Sequence, residues 1–529
     1  MIIQRVIKAK LNISKEWYII IGLALFKLLI HFLTNTNYEL HRDAFLYYSL
    51  GENLDWGFMS SPPLIGIVSK ISVLIFGNTV FALRFFPAFI GAISVIFIAL
   101  IVKELKGSTF AIVIASLTFI CSPSFLRSNT LFQPVSFNQF FWLLSGYYIV
   151  RLINNQNPKL WLSVFIIWGF GFLNKYSIAF FIVGTLLAFL LSKHRKLFMS
   201  KYFIIGGVIG TLMILPNLFW QHNHNWPLIH HMNELYKYQF VNVSKVGFII
   251  DQFVMNFPAI IVWISGLIVF LFFNKYKKYR ILPLIYLFTL LYLLFSGGKS
   301  YYTLGLYPIL FALGGYTIDK FFKPVYKYLT LGFMLIISWF MLPFSLPIYS
   351  LEKVAEISKK TAPFTNRWED GKIHNLPQDY ADMTGWEELS GMVIDAYQNL
   401  PDSIKNNCVI YAEEYCTAGA TMFYGKKHGL PDPICFNDNF LLHAPDSINP
   451  SVFIYVNDEV GDIEWLFKNI ELVYEINNKY FRENGEQVYV CTQPRDIFPE
   501  FFAQKTAMLK NRFIKKQVTM KPLSLNKLR

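Results

Sequence analysis

Residues 39–66 read ELHRDAFLYYSLGENLDWGFMSSPPLIG and follow directly on an apolar run long enough to cross a bilayer. An acid, Asp43, lies among aromatic residues in this segment, and a second long apolar run comes after it. A charged group in apolar surroundings is costly and is therefore a candidate functional residue. The segment reads as a loop between two membrane crossings.

Composition agrees with a membrane protein, because 54% of the residues are hydrophobic and only 16% are charged, and the apolar residues form long blocks. With about 18 apolar residues taken as one crossing, the sequence predicts a polytopic α-helical membrane protein with about eleven spans. The spans lie near 17–34, 80–102, 110–126, 135–152, 159–173, 177–192, 201–219, 247–273, 281–296, 301–319 and 329–347.

Lysine and arginine are distributed unevenly between the loops. With the N-terminus inside, the inner segments carry about 19 basic residues and the outer short loops about seven, which is the bias expected of cytoplasmic loops. This orientation is typical of a bacterial inner-membrane protein with Asp43 on the outer face. The net charge of +14 is then explained by topology and contact with membrane lipids, and it predicts no nucleic-acid partner.

The chain divides into three predicted parts. Residues 1–347 form the transmembrane domain, with the first outer loop at 35–79; residues 348–500 form an extracytoplasmic α/β domain, and residues 501–529 form a basic tail. Within the second part, CVIYA (408–412) and SVFIYV (451–456) predict strands, and WEELSGMVIDAYQNL predicts a helix. Two interpretations stay open for the tail, a membrane-surface helix or a frayed end.

Four of the five cysteines, Cys408, Cys416, Cys435 and Cys491, lie in the predicted α/β domain. The predicted outer compartment is oxidising, so one or two disulfides are one interpretation. Buried free thiols are the other.

The first outer loop predicts two short interfacial helices, one over LYYSLGENLDWGF and one over SPPLIGIVSKISVLIF, which begins at a proline pair. They would hold Asp43 at the headgroup level as a general base or a charge stabiliser. The alternative is that Asp43 pairs with Arg42 or caps the helix of residues 44–50. Asp55 has the same ambiguity.

Other polar residues recur on the outer side. Arg84 opens the second span, Lys175 follows the fifth, and Lys299 precedes Tyr301 and Tyr302 in SGGKSYY, which would suit a lipid-linked phosphate. A lysine that only extends to the headgroups is the alternative for Lys299.

The loop WQHNHNWPLIHH offers four histidines and two tryptophans, as in a sugar-binding groove: His222, His224, His230, His231, Trp220 and Trp226. No acid has a spacing suited to a metal site there. The sequence therefore predicts no certain cofactor, although a divalent metal is compatible with it.

Several motifs in order carry a resemblance to a known family. They are DAFLYYSLGENLDWGFMSSPPL, LRFFPAFIGAISVIFIALIVKEL, LFQPVSFNQFFWLL, GFLNKYS, LPNLFWQHNHNWP, GGKSYYTLGLYP, YADMTGWEEL and YGKKHGLPDP. Together they resemble the class C polytopic glycosyltransferases, specifically family 39 and the aminoarabinose-transferase-like group that includes protein O-mannosyltransferases. The resemblance runs over nearly the whole chain.

The resemblance implies transfer of a sugar from a polyprenyl-phosphate donor to a glycan, lipid or protein acceptor on the outer face. By that resemblance Asp43 is the catalytic candidate, and the residues expected to bind the donor phosphate are Lys299, Arg84, Tyr301 and Tyr302. Further substrate contacts are predicted for Tyr47, Tyr48, Asp55, Lys175, Asn138, His222 and His224. Two positions depart from the family pattern: Ala44 stands where a glutamate is common, and Asn138 where relatives often carry aspartate.

Three other functions compete with this prediction. A flippase or transporter for lipid-linked sugars would show paired inverted halves, which this sequence lacks. A surface-polysaccharide polymerase or ligase usually has its long outer loop late in the chain. A catalytically dead binding protein is favoured only by the missing glutamate.

Overall fold

The computed structural model describes residues 14–513 and is dominated by α-helices. Helices of the first outer loop and the apolar runs are α1 (Lys15–Phe32), α2 (Arg42–Glu52), α3 (Leu64–Phe76), α4 (Val80–Glu104), α5 (Thr109–Cys121), α6 (Pro123–Ser128), α7 (Pro134–Asn155) and α8 (Leu160–Asn174). They continue with α9 (Ile178–Leu190), α10 (Lys201–Asn223), α11 (Pro227–Tyr238), α12 (Lys245–Val254), α13 (Ile260–Phe272), α14 (Ile281–Phe295), α15 (Tyr307–Phe321) and α16 (Pro324–Met341).

Each of the eleven predicted spans coincides with one helix or with two consecutive helices. Within residues 14–513, three helices could cross a membrane by length and composition alone, or up to five if each of two bent pairs counts as one span. The span predicted as one piece over 247–273 is bent by 67°. Pro258 explains the break, because it cannot donate to the helical hydrogen-bond ladder. The number of crossings therefore stays a prediction.

Close helix contact in the membrane part depends on two glycines. A Cβ placed on Gly314 of α15 would lie 2.1 Å from the carbonyl oxygen of Val262 in α13, and one on Gly266 would lie 2.5 Å from the amide nitrogen of Gly314. The two backbones therefore meet directly, as small residues allow between membrane helices. By contrast, Gly332 in α16 has open space around it.

We expect Gly314→Ala to lower the thermal unfolding midpoint of the purified protein in detergent, because the added methyl group must push α13 and α15 apart at a cost of about 1–3 kcal/mol. The matched control is Gly332→Ala, whose methyl group meets nothing and which should leave the midpoint unchanged or slightly raised. Equal midpoints for the two variants would contradict the assigned contact.

The rest of the chain contains a four-stranded sheet flanked by helices. Its elements are α17 (Leu351–Ser358), α18 (Ala362–Thr365), α19 (Gln378–Ala381), α20 (Trp386–Gln398), α21 (Asp402–Lys405), β1 (Cys408–Ala412), α22 (Tyr415–Gly425), α23 (Phe440–His443), β2 (Val452–Asn457), α24 (Ile463–Leu466), β3 (Phe467–Glu475), β4 (Gln487–Pro494) and α25 (Phe498–Lys510). The strand order is β1-β2-β4-β3, with β1 parallel to β2 and the other pairs antiparallel.

These elements confirm the predicted fold class, including both predicted strands and the helix now labelled α20. The four cysteines of this part are free and buried. The boundaries at residues 347 and 500 stay predictions. Helix α25 spans the second of them, and residues 514–529 of the predicted tail lie outside the described residues.

The first outer loop and the sheet share one hydrophobic core. Phe45 of α2 packs edge-to-face on Trp386 of α20 and on Phe423 of α22, with ring centroids 5.7 and 5.8 Å apart. Gly419 makes this approach possible, since a Cβ there would lie 2.8 Å from the Phe45 backbone. Burial of these large side chains fixes α2, which carries Asp43, against the C-terminal part.

An acidic cluster lies beside this shared core. Glu486 is 7% exposed, and its Oε2 atom has no hydrogen-bond partner among the described residues. Burial raises the pKa of Glu486 to about 8, and the negative charges of Glu483, Asp458, Glu414 and Glu413 add to the shift. A carboxyl group in these surroundings is held more easily as the neutral acid.

The raised pKa predicts that folded-state stability depends on pH. Glu486 binds its proton more tightly in the folded chain than in the unfolded one, so its contribution is present below about pH 4.5 and is lost as the pH rises through about 8. We expect Glu486→Gln to raise the unfolding midpoint at pH 8.5 and to leave it nearly unchanged at pH 5. Glu471→Gln, at an exposed position in β3, is the control and should show no such difference.

Candidate active site around Asp43

Asp43 lies in the first turn of α2, and the residue before the helix fixes its backbone. His41 is the N-cap residue, with extended backbone, and its Nδ1 atom accepts the amide N–H of Asp43 at 3.2 Å. The preceding amide, that of Arg42, donates to the carbonyl oxygen of Asp382 at 2.9 Å. The start of α2 is thus tied to the C-terminal part of the chain.

Two neutral donors hold the Asp43 carboxylate. The Gln133 side-chain amide donates to Oδ2 at 3.1 Å, and the Tyr415 hydroxyl donates to Oδ1 at 3.0 Å. Burial, and then the negative charge of Asp43, raise the pKa of Tyr415 well above its ordinary value, so its phenol remains a donor. The side chain of Asp43 is still 33% exposed, which leaves it accessible to a substrate.

Arg42 does not form the close pair with Asp43 that the alternative interpretation requires. Its guanidinium lies over the Tyr415 ring, 5.3 Å from the centroid, and 3.9 Å from the carboxylate of Glu483. The cation contributes to the field around Asp43 without occupying its carboxylate oxygens.

The buried carboxylate of Asp382 contacts the residue that caps the helix of Asp43. Asp382 is fully buried, and its carboxylate lies 3.3 Å from Nε2 of His41 and 3.0 Å from the guanidinium of Arg482. Burial alone would raise its pKa, but the hydrogen bond to His41 and the charges of Arg482 and Arg42 lower the pKa of Asp382 to about 2. Since Nδ1 of His41 accepts from Asp43, Nε2 is the nitrogen that donates to Asp382.

One group of side chains in the described part of the chain is compact enough to suggest a metal: ligand atoms of His41, Asp379 and Asp382 lie within 4.8 Å of one another. Arg127 forms an ion pair with Asp379, and Arg482 with Asp382, so cationic side chains already balance both carboxylates. Nε2 of His41 is used as a donor. The arrangement therefore fits an ion-pair network better than a metal site.

Two lysines and two tyrosines predicted from the sequence come together near Asp43. The Lys175 ammonium lies 5.9 and 5.5 Å from the ring centroids of Tyr301 and Tyr302. The Lys299 ammonium contacts Gln239 at 2.6 Å and Glu369 at 2.8 Å. The charges of Lys299 and Asp43 both act on Lys175, the first lowering and the second raising its pKa.

Tyr47, on the turn of α2 that follows Asp43, also belongs to this site. It interacts with Asp43, Tyr302 and Asp438. His231 of α11 faces the same centre, where its electrostatic partners are Asp438, Lys175, Lys299 and Asp43. Burial lowers the pKa of His231, which favours the neutral imidazole in the site.

Arg84 has a different role from the predicted one. It is 1% exposed, and its guanidinium donates to the backbone carbonyls of Asn35, Tyr38 and Glu39. A group so enclosed cannot reach a donor phosphate in this structure. Arg84 instead fixes the path of the chain from α1 into the first loop.

Five more predicted residues lie in other contacts. Asn138 is buried and accepts from Trp142 at 3.1 Å, and Tyr48 packs on Phe423. Asp55 accepts from Trp220 at 2.7 Å. The remaining two are His222, which is exposed and meets the Trp226 ring edge-on with centroids 6.4 Å apart, and His224, which stacks on the Trp220 ring. The structure gives these five structural partners outside the group of side chains around Asp43.

Sequence reasoning placed His231 only in the candidate sugar-binding loop, and it missed Gln133, His41, Tyr415 and Asp438. Gln133 and His41 lie inside segments that the sequence analysis quotes. The signal available for them was their place in the same segments as the candidate residues, since His41 is two positions before Asp43. Tyr415 is 372 residues from Asp43, and no local pattern connects the two. Only the packing of α22 on α2 brings them together.

Comparison with known proteins places this architecture. The profile of the dolichyl-phosphate-mannose-protein mannosyltransferase family matches residues 60–220. A curated relative, the lipid A galacturonosyltransferase RgtD of Rhizobium johnstonii, is 23% identical over 223 residues, which are 41% of this chain and 45% of RgtD. The chain thus matches less than half the length of this relative.

Two solved structures share the fold over most of the chain. ArnT from Cupriavidus metallidurans bound to undecaprenyl phosphate aligns with a TM-score of 0.64 at 13% identity, over 90% of this chain and 98% of ArnT. The apo state of ArnT gives a TM-score of 0.63 at 12% identity with the same coverage.

The chain is therefore an integral membrane protein with the fold of class C polytopic glycosyltransferases. Within that class its architecture is ArnT-like, which confirms the resemblance carried by the sequence motifs.

The electrostatic interaction of Lys175 with Lys299 and Asp43 can be tested without a substrate. Burial, and after it the charge of Lys299, lower the pKa of Lys175 to about 8, whereas the charge of Asp43 raises it. The measurement is the pH at which reductive methylation of Lys175, followed by peptide mass spectrometry, is half-maximal. We expect this pH to rise in Lys299→Gln, which removes a repelling charge, and to fall in Asp43→Asn, which removes an attracting one. Lys159, an exposed lysine, is the internal control. Absence of both shifts would contradict the interaction.

Proposed function

We propose that the protein is a membrane glycosyltransferase that moves a sugar from a polyprenyl-phosphate donor to an acceptor on the outer face of the bacterial inner membrane. One observation carries the proposal: an accessible carboxylate, Asp43, is held by two neutral donors and interacts electrostatically with Lys175, on which the charge of Lys299 also acts. A base next to an anion-binding group is what glycosyl transfer from a phosphate requires.

The reaction breaks the bond between the anomeric carbon and the phosphate oxygen. The electron pair leaves with the polyprenyl phosphate, and the acceptor oxygen or nitrogen forms the new bond to the anomeric carbon. The acceptor proton passes to Asp43, which must therefore start as the carboxylate. Gln133 and Tyr415 orient that carboxylate by hydrogen bonds, so it need not reorganise as the acceptor approaches.

The cations serve the leaving group. Lys175 and Lys299 would stabilise the negative charge that develops on the phosphate, and Tyr301 and Tyr302 would hydrogen-bond to it. Lys299 contacts Glu369 and Gln239, so a bound phosphate would replace those partners. Undecaprenyl phosphate bound to the similarly folded ArnT supports a lipid-linked donor.

A lipid or glycan is the proposed acceptor. RgtD, which is named for transfer to lipid A, supports a glycolipid of that kind. The proposed orientation, with a cytoplasmic N-terminus and an extracytoplasmic C-terminal part, is supported by the excess of basic residues in the inner loops. It places Asp43 on the face where such acceptors are exposed.

The test is sugar release and transfer from a panel of undecaprenyl-phosphate sugars, with purified protein in lipid and lipid A as the acceptor. We expect Asp43→Asn to lower turnover by at least about 100-fold, because a general base contributes this much or more. Donor binding should be retained, since the lysines are unchanged.

Asp55→Asn is the matched control, because Asp55 lies in the same loop but is bonded to Trp220. Turnover lost in Asp55→Asn and kept in Asp43→Asn would mean that the base is misassigned. A flippase predicts a different outcome, in which the donor crosses vesicle membranes without sugar release and Asp43→Asn has little effect.

A further inference from the structure

The ammonium of Lys299, which is proposed to hold the donor phosphate, is bound to a carboxylate from the C-terminal part of the chain. Its Nζ atom donates to Oε1 of Glu369 at 2.8 Å and to Oε1 of Gln239 at 2.6 Å. The side chain of Lys299 is 18% exposed, whereas that of Glu369 is 42% exposed. The ion pair is therefore mostly enclosed at the lysine and open at the carboxylate, where another anion can approach.

Glu369 lies at the tip of a tight turn. Arg367 and Ile373 form an antiparallel bridge, and between them the amide of Gly371 donates to the carbonyl oxygen of Trp368 at 3.0 Å. Gly371 has a φ of 78°, a left-handed conformation that favours glycine. Glu369 is the second of the four residues of this turn, so its side chain projects from the tip.

Two further contacts attach the turn to the structure around it. The amide of Glu369 donates to Oε1 of Gln378 at 3.0 Å, and the nitrogen of the same Gln378 side chain donates to the buried carboxylate of Asp382 at 3.3 Å. The indole of Trp368 donates to the carbonyl oxygen of Leu376 at 2.8 Å. The carboxylate of Glu369 must therefore stay near its lysine even when that lysine binds another anion.

The donor and the product of the proposed reaction differ in charge at the phosphate. A sugar-carrying polyprenyl phosphate is a phosphodiester with a single negative charge. The polyprenyl phosphate that leaves is a monoester, which carries about 1.5 to 2 negative charges at pH 7. Repulsion between two anions is proportional to the product of their charges, so a carboxylate held nearby repels the product more strongly than the donor.

We propose that Glu369 competes with the lipid phosphate for Lys299 and favours release of the polyprenyl phosphate product. The inference rests on the proposed function for the role of Lys299 and for the identity of the two lipid phosphates. When the donor binds, its phosphate replaces Glu369 at the ammonium. After transfer, the more highly charged product leaves and Glu369 returns. Glu369 acts through Lys299 and is a positioning residue.

The test is the binding of two lipids to the purified protein in detergent at about pH 7, measured by isothermal titration calorimetry. Undecaprenyl phosphate, the lipid bound to the similarly folded ArnT, represents the product, and its methyl ester, a phosphodiester, represents the donor. Glu369→Gln removes the charge and keeps the shape. Asp370→Asn is the matched control, because Asp370 lies in the same turn and is similarly exposed, but its carboxylate is paired with His374 at 2.9 Å.

We expect Glu369→Gln to lower the Kd of undecaprenyl phosphate by about fivefold or more, as for removal of a competing charged partner. The Kd of the methyl ester should fall by a smaller factor, so the ratio of the two Kd values changes by about twofold or more. High salt should reduce both effects, because the ion pair is partly exposed. Asp370→Asn should leave both Kd values close to those of the wild type.

Glu369→Ala is the second variant, and it should tighten binding in the same way, because it removes the competing oxygen as well as the charge. Damage to the fold would weaken binding, so tighter binding separates the proposed role from a structural one. Unchanged or weaker binding of undecaprenyl phosphate in both variants overturns the proposal. Equal tightening of both lipids also overturns it, because product release is then not favoured.

Failure of the proposed function gives a different result. In that case the wild type releases no sugar from any donor, while the two titrations still decide whether Glu369 competes with phosphate. If sugar is released, the inhibition constant of undecaprenyl phosphate should fall in Glu369→Gln by a larger factor than the KM of the donor. Absence of binding of both lipids to the wild type and to both Glu369 variants overturns the inference.

Discussion

The ion pair and hydrogen bonds around the buried carboxylate of Asp382 hold the site together. This anion binds His41, which in turn receives the amide of Asp43, and its own backbone carbonyl receives the amide of Arg42. A fully buried carboxylate with a pKa of about 2 is stable only while its partners stay in place. The start of α2 and the C-terminal part are thus bound to each other by electrostatics as well as by the shared core.

The Asp43 site is assembled from chain segments that are far apart in sequence. The first loop supplies Asp43 and Tyr47, the membrane helices supply Lys175 and Gln133 at their ends, and the C-terminal part supplies Tyr415. Each segment is rigid for its own reason, either helix packing or attachment to the sheet. Because these elements are rigid, the carboxylate of Asp43 and the ammonium of Lys175 can interact without forming a direct ion pair.

Sequence patterns were sufficient for much of this architecture. Apolar blocks located the helices, alternating apolar runs located β1 and β2, and the cost of a charge among aromatics singled out Asp43, Lys175 and Lys299. The same rule failed at Arg84, because a buried cation satisfied by backbone carbonyls looks identical in sequence to a ligand-binding one. Tyr415 was beyond reach, since its proximity to Asp43 depends on tertiary packing alone.

The sequence separation of Tyr415 from Asp43 also has a consequence for biosynthesis. The hydrogen bond between them joins residues 372 positions apart, so the site stays incomplete until Tyr415 has been synthesised and α22 has docked on α2. At typical rates of synthesis the delay is roughly 20 to 75 s after Asp43 leaves the peptidyl-transferase centre. A nascent chain that ends before Tyr415 is therefore without the donor to Oδ1 of Asp43, so the complete site forms only after the C-terminal part begins to dock on α2.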